Sequence, residues 1–288
     1  ERANILGVKI DLGVNGSQLF SRKSQGMRPA VAKITGILHL DVYKFVRNIF
    51  GQNLKTDSYK LDNVASELLG HKKQVVDLSQ LSPSWDSNDA KKLEEFCSYN
   101  LEDARLTFEL CNLLLFDIIE FTKTIGLPSF DVSRMRFSRL VESYIMKRGM
   151  EKQILAPNKP DDEELAQRMH ERIQGAFVFS PKPGLYKDVV VFDFRSLYPT
   201  IISSHNLSPE SFKAKVGKKI EVPGRKQYWF TDKKVFLPTI LEDIITKRSK
   251  IKQEIKKLHA AKKDTAYLEA RSYAFKILAN SFYGYLGF

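Results

Sequence analysis

Residues 89–126, DAKKLEEFCSYNLEDARLTFELCNLLLFDIIEFTKTIG, carry apolar side chains at helical spacing over about ten turns. The stretch reads as one or two helices, with Asn100 as a candidate joint, and Gly126 and Pro128 end it. Upstream, ITGILHLDVYKFV (34–46) has the β-branched and apolar content of a strand leading into a helix, and KLDNVASELLG (60–70) reads as a helix stopped by Gly70. A strand followed by helices is an α/β signature, expected for the first 125 or so residues.

A further helix is expected over SRMRFSRLVESYIMKRGM (133–150), and then an acidic first turn opens another in LAPNKPDDEELAQRMHERI. Turn signals at Pro181, Pro183 and Gly184 among β-rich runs predict a hairpin over 175–196, with VVVFD as its second strand. Residues 211–237 are polar, basic and aromatic and predict short strands on loops. The clearest segment is the last: two helices joined near Lys262 to Thr265, an antiparallel hairpin about 30 Å long.

With 288 residues the chain is long enough for two domains, or for part of a larger multidomain protein. Its 43% hydrophobic and 11% aromatic content is that of a folded protein. No uncharged apolar run reaches 18 residues and no signal peptide opens the chain, so the expectation is a soluble, cytoplasmic protein with no membrane partner. Cys97 and Cys111 lack a second pair to build a zinc site and are expected to be reduced core residues. The start at Glu1 and the end at Phe288, directly after an apolar helix, lead us to expect a chain cut at both ends.

Charge is unevenly spread. Residues 1–210 balance at +1, whereas residues 211–288 hold 18 Lys and Arg against 7 Asp and Glu. A local basic excess is the footprint of a polyphosphate or nucleic-acid contact, although a solvated lysine-rich helix gives the same count.

Within VVVFDFRSLYPT (189–200) a single carboxylate, Asp193, interrupts an apolar run. A buried carboxylate needs a compensating partner. Arg195 is one candidate; Mg²⁺, which takes one or two protein carboxylates and fills its other positions with water and phosphate, is the better one. SLYP followed by TIISSHN places a turn and a helix start just beyond, where backbone N–H groups receive phosphate. On the last two helices Arg248 and Lys252 share one face, as do Lys276, Asn280 and Tyr283. Arginine and lysine presented together suit a triphosphate, so these parts are compatible with a nucleotide site.

The string DFRSLYPTIISSHNLSPE (193–210) resembles the A motif of family B DNA polymerases, and KILANSFYGYLG (276–287) resembles their B motif. YNLEDARLTFEL (99–110) is similar to the Tyr-x-x-x-Asp motif of their 3′–5′ exonuclease, and LAPNKPDDEE (155–164) resembles the archaeal linker before the palm. The resemblance covers essentially the whole chain, in the family's order. It implies an α/β and α+β multidomain fold: an RNase H-like exonuclease part (1–127), a linker and palm strands with the A motif (128–240), and antiparallel helical-hairpin fingers (241–288). By similarity, Asp193 is a metal-binding palm carboxylate, the backbone of Ser196, Leu197 and Tyr198 holds the triphosphate, and Tyr198 is the steric gate against a 2′-hydroxyl. Arg248, Lys252, Lys276 and Asn280 match the residues that grip the incoming nucleotide, while Tyr283 and Gly284 match the position beside the nascent base pair. In the exonuclease motif Asp103 is the implied metal ligand and Tyr99 the orienter of water.

The implied activity is two-metal deoxynucleotidyl transfer with proofreading. It uses Mg²⁺, primer–template DNA and deoxynucleoside triphosphates, and implies association with the nucleoid. Departures qualify it. Where the family has Tyr-x-Gly-Gly/Ala the chain reads IQGAF, with Ile173 in place of tyrosine and Gly175 and Ala176 kept. An Asp-Thr-Asp palm motif and an upstream Asp-x-Glu are not found; Asp264 belongs to the helical hairpin turn, the acidic run 161–164 to a helix start, and Asp41 takes a structural role. The 288 residues are therefore expected to be inactive alone. A partial sequence, an intein-interrupted gene and one chain of a split polymerase, with a second chain supplying the missing carboxylates, all remain open. So does a non-catalytic DNA-binding or assembly subunit.

Overall fold

The computed structural model describes residues 2–22, 31–51, 54–56, 58–71, 76–156, 158, 160–170, 177–194, 196–212, 216–221 and 227–286. Helices dominate: α1 (Arg2–Ile5), α2 (Val42–Phe45, running into a π-helical turn Val46–Phe50), α3 (Leu61–Leu69), α4 (Leu81–Asp86), α5 (Ala90–Ile125), α6 (Ser129–Val132), α7 (Phe137–Glu151), α8 (Asp162–His170), α9 (Leu197–Ser204), α10 (Phe236–Ala260) and α11 (Ala266–Leu286). Among the described residues two antiparallel pairs make up the sheet structure, β1 (Phe20–Arg22) with β2 (Val31–Lys33), and β3 (Lys218–Ile220) with β4 (Tyr228–Phe230). Among the described residues no helix is long and apolar enough to cross a membrane.

The chain divides into two compact units, one formed by Glu1–Tyr144 with Asp243–Phe288 and the other by Ile145–Glu242. The spine of the first is α5, a single rod of 36 residues, about 54 Å long. Its start is capped by Asp89, whose carboxylate accepts the Lys92 N–H at 3.2 Å. Gly126 ends it in the left-handed region at φ 84° and donates its N–H to the Thr122 carbonyl. Asn100 is no joint: α5 runs through it without a break, since a lone asparagine leaves the i→i−4 ladder intact. The face of Leu106, Leu110, Leu114, Ile118, Phe121 and Ile125 is buried, and Phe45 meets Phe121 edge-on at 6.1 Å. Helices α2, α3, α4, α6 and α11 all pack on this rod.

Several expectations need correction. Of the strand leading into a helix expected over 34–46, the strand part is a turn closed by an Ile34–Ile37 bridge, while the helix is α2, which Asp41 caps by accepting the Lys44 N–H at 3.0 Å. Cys97 is exposed and Cys111 half-buried, so neither is a core residue; both are free thiols. Residues 177–194 form no strand, and the hairpin predicted over 175–196 is absent from the part described. Val189 to Phe192 are two-thirds or more exposed, because no neighbouring strand among the described residues supplies a ladder.

In the second unit Asp161 accepts the Glu164 N–H at 2.8 Å and opens α8, as its acidic first turn implies. The β3–β4 pair realises the short strands expected in 211–237, with Lys219 opposite Trp229. At the far end of the chain, α10 and α11 are joined by residues 261–265, where Asp264 lies, and His259 contacts Thr265 at 2.8 Å and Glu269 at 3.0 Å across the turn.

Candidate functional site

The carboxylate of Asp193 is exposed, and among the described residues no hydrogen bond or ion pair engages it. Arg195, its first candidate partner, lies outside the described residues, as do Ile173, Gly175 and Ala176. Three residues after Asp193 the chain turns sharply: Ser196 sits at φ 48°, ψ 56°, a left-handed conformation that costs a non-glycine residue about 1 kcal/mol or more, and it is the N-cap of α9. Leu197, Tyr198 and Pro199 follow as the first turn. Proline brings no N–H, and the Thr200 N–H is taken by the Ser196 carbonyl at 2.9 Å, so Leu197 and Tyr198 carry the amides at the positive end of the helix. The Tyr198 ring is about half exposed, while Pro199 and Ile202 are buried and seat the helix.

Asn206, which sequence reasoning did not single out, fixes the other end of α9. Its buried amide donates to the carbonyls of Thr231 (2.6 Å) and Lys233 (3.0 Å) and accepts the Val235 N–H at 3.2 Å. Three backbone groups leading into α10 are thereby tied to the segment after α9. It sits at φ 55°, a conformation asparagine tolerates.

In the other unit, Lys276, Asn280 and Tyr283 lie on one side of α11, half-buried, exposed and half-exposed respectively. Buried Ala274, Phe275, Leu278, Ala279 and Phe282 hold the helix from its remaining sides. Gly284 is on the surface, and a Cβ placed there meets nothing within 4 Å. Arg248 is half-buried and Lys252 exposed, one turn apart on α10. The structure thus groups Asp193 with Ser196, Leu197 and Tyr198, and separately groups Lys276 with Asn280 and Tyr283.

Tyr99 and Asp103 stand one turn apart on α5, both half-buried. No cluster of three or more His, Cys, Asp or Glu able to hold a metal ion occurs among the described residues. Two other carboxylates on α5 were missed by sequence reasoning. Asp117 lines a cavity of about 260 Å³ with Phe50, Leu113, Phe116, Glu269 and Tyr273, and burial pushes its carboxyl up to about 6. Glu120 is fully buried, 2.7 Å from Arg271 Nε and 3.3 Å from Lys123 Nζ. Both interrupt the apolar run LLLFDIIEF (113–121), the same signal that exposed Asp193.

The family model for DNA polymerase family B matches residues 130–288. This chain belongs to that family. It is 35% identical over 292 residues to a DNA polymerase of Pyrococcus glycovorans and 36% identical over 293 residues to DNA polymerase 1 of Pyrococcus abyssi; each alignment covers all of this chain and 36% of the relative. The family B DNA polymerase of Pyrobaculum calidifontis superposes with a TM-score of 0.78 at 28% identity, over all of this chain and 36% of that one. The relatives are archaeal, and this family B chain spans about 36% of their length.

Proposed function

We propose that this family B chain forms the nucleotide-gripping part of a DNA-directed DNA polymerase, one that extends a primer on a template and proofreads with a 3′–5′ exonuclease. The observation that carries the reading is the pairing of an exposed carboxylate, Asp193, engaged by no hydrogen bond or ion pair among the described residues, with the strained N-terminal turn of α9 at Ser196 to Tyr198. A carboxylate beside amides at a helix N-terminus presents a cation ligand next to an anion site, which is what a metal–triphosphate complex requires.

The donor set fits a Mg²⁺–triphosphate complex in part. Asp193 would hold the ion, but no group of three or more metal-ligating side chains forms among the described residues. When bound, a divalent ion polarises the phosphoryl oxygens and lowers the pKa of the attacking hydroxyl. The chain's own contribution is positioning. Leu197 and Tyr198 orient the phosphate tail through their amides, and the Tyr198 ring closes the space a 2′-hydroxyl needs. Lys276, Asn280, Arg248 and Lys252 place cations and hydrogen-bond donors around the charge that develops on the phosphates, with Tyr283 and Gly284 beside the new base pair. The remaining carboxylates come from elsewhere in the polymerase or from a second polymerase chain, and the 288 residues do not turn over alone.

Residues 1–127 then belong to an RNase H-like exonuclease, 128–240 to the linker and palm, and 241–288 to the fingers. Asp103 serves as a metal ligand of the exonuclease and Tyr99 orients its water. Single-nucleotide incorporation on a primer–template tests the reading. Lys276→Ala should reduce kcat/KM for the nucleotide by about a hundredfold, the scale of removing one charge-stabilising donor; an unchanged value would take the α11 stripe out of the site.

A further inference from the structure

Helix α11 has a second working face. With 3.6 residues per turn, Arg271 points about 140° from Lys276 and about 180° from Asn280. The nucleotide stripe and Arg271 therefore lie on opposite sides of one helix. Arg271 faces α5, where its Nε donates to Glu120 Oε2 at 2.7 Å. Tyr267, one turn earlier, accepts from Arg271 Nη2 through its hydroxyl, and its ring receives both the Arg271 guanidinium (4.7 Å) and the Lys123 ammonium (4.9 Å). Lys123 completes the cluster at 3.3 Å from Glu120 Oε1.

Around this cluster the seam carries small side chains and an opening. Ala266 and Ala270 present small side chains, and the Asp117 cavity opens beside them. Tyr273 adds one hydrogen bond to the Ile49 carbonyl at 3.1 Å and a ring contact with Phe50 at 5.2 Å. A buried ion pair contributes little net stability compared with apolar packing, but it specifies one position. Only Glu120 is fully buried here; Arg271 and Lys123 each keep a side in water, so on separation the cations are already partly solvated.

We infer that Glu120 and Arg271, steadied by Tyr267 and Lys123, form a releasable latch that holds α11 against α5, making them positioning residues for the incoming nucleotide. This rests on the polymerase reading above. The latch touches no part of the nucleotide stripe, so it acts through the position of α11 alone. Any displacement of α11 that nucleotide binding draws has to break this contact, so removing it favours the displaced state by the same factor. The rod α5 also carries Tyr99 and Asp103, the latter about 26 Å along the axis from Glu120, which puts the latch on the same element as the exonuclease pair.

The test is steady-state incorporation by the intact polymerase. Glu120→Gln, nearly isosteric, should lower KM for the nucleotide about fivefold with kcat within twofold. Arg271→Met should act the same way, and Arg271→Lys, which keeps a cation opposite Glu120, should stay near wild type. Tyr267→Phe, which removes one hydroxyl and keeps the ring, should lower KM about twofold and serves if Glu120→Gln does not fold. Unchanged or raised KM in variants that melt cooperatively would overturn the latch. Absence of incorporation by the wild-type polymerase would instead overturn the functional reading beneath it.

Discussion

Asp117 offers a quantitative test of the seam between α5 and α11. Its carboxyl lies against Phe50, Leu113, Phe116 and Tyr273, and no hydrogen bond or ion pair engages it among the described residues. Desolvation pushes it from its ordinary 3.8 up to about 6. An acid with a folded-state pKa above its unfolded value binds more protons when folded, so stability falls as pH rises between the two. The stabilising effect of the proton is complete below about 3.8 and lost above about 6. A difference of about two pH units corresponds to roughly 3 kcal/mol; because the side chain retains solvent contact, screening reduces the expectation to about 1–2 kcal/mol. Asparagine has nearly the same shape and does not titrate. Urea denaturation of wild type and Asp117→Asn at pH 4 and pH 8 should therefore show the variant gaining about 1–2 kcal/mol relative to wild type between the two. Any fixed penalty for the buried amide cancels in that comparison. A difference that does not change with pH would refute the reasoning.

Other predictions concern the turn that opens α9. Tyr198→Ala should admit ribonucleotides at least about tenfold more readily relative to deoxynucleotides, measured as the ratio of kcat/KM values; an unchanged ratio would remove the gate. Ser196→Gly relieves a left-handed residue and should stabilise the fold by about 0.5–1 kcal/mol in urea denaturation, and a loss of stability would show that the serine side chain, not the turn, is what matters.

Much of the helical architecture could be read from the chain because its signals are local. Gly70 and Gly126 end their helices where they stand in the sequence, Asp161 opens α8, and the turn between α10 and α11 falls at residues 261–265. The strand errors have the opposite cause. VVVFD has the composition of a buried strand, but a strand exists only through its neighbours, and none pairs with it among the described residues. Asn100 failed as a joint because propensity is a weak prior against the continuous apolar stripe that follows it. The turn and helix start at Ser196, Leu197 and Tyr198 were legible in SLYPTIISSHN. The Glu120 cluster was not, since its partners are 151 residues apart and only the packing of α11 on α5 brings them together. A carboxylate inside an apolar run asks the same question at positions 117, 120 and 193. The answers are a raised pKa, an ion pair and, at Asp193, exposure to solvent.

The central claim is that the open position at Asp193 serves nucleotidyl transfer. Its most direct test is the single-turnover rate of nucleotide incorporation by the intact polymerase, wild type against Asp193→Ala, with saturating primer–template and Mg²⁺. The account predicts a loss of about a thousandfold or more, with primer–template affinity unchanged. Incorporation at the wild-type rate would contradict it.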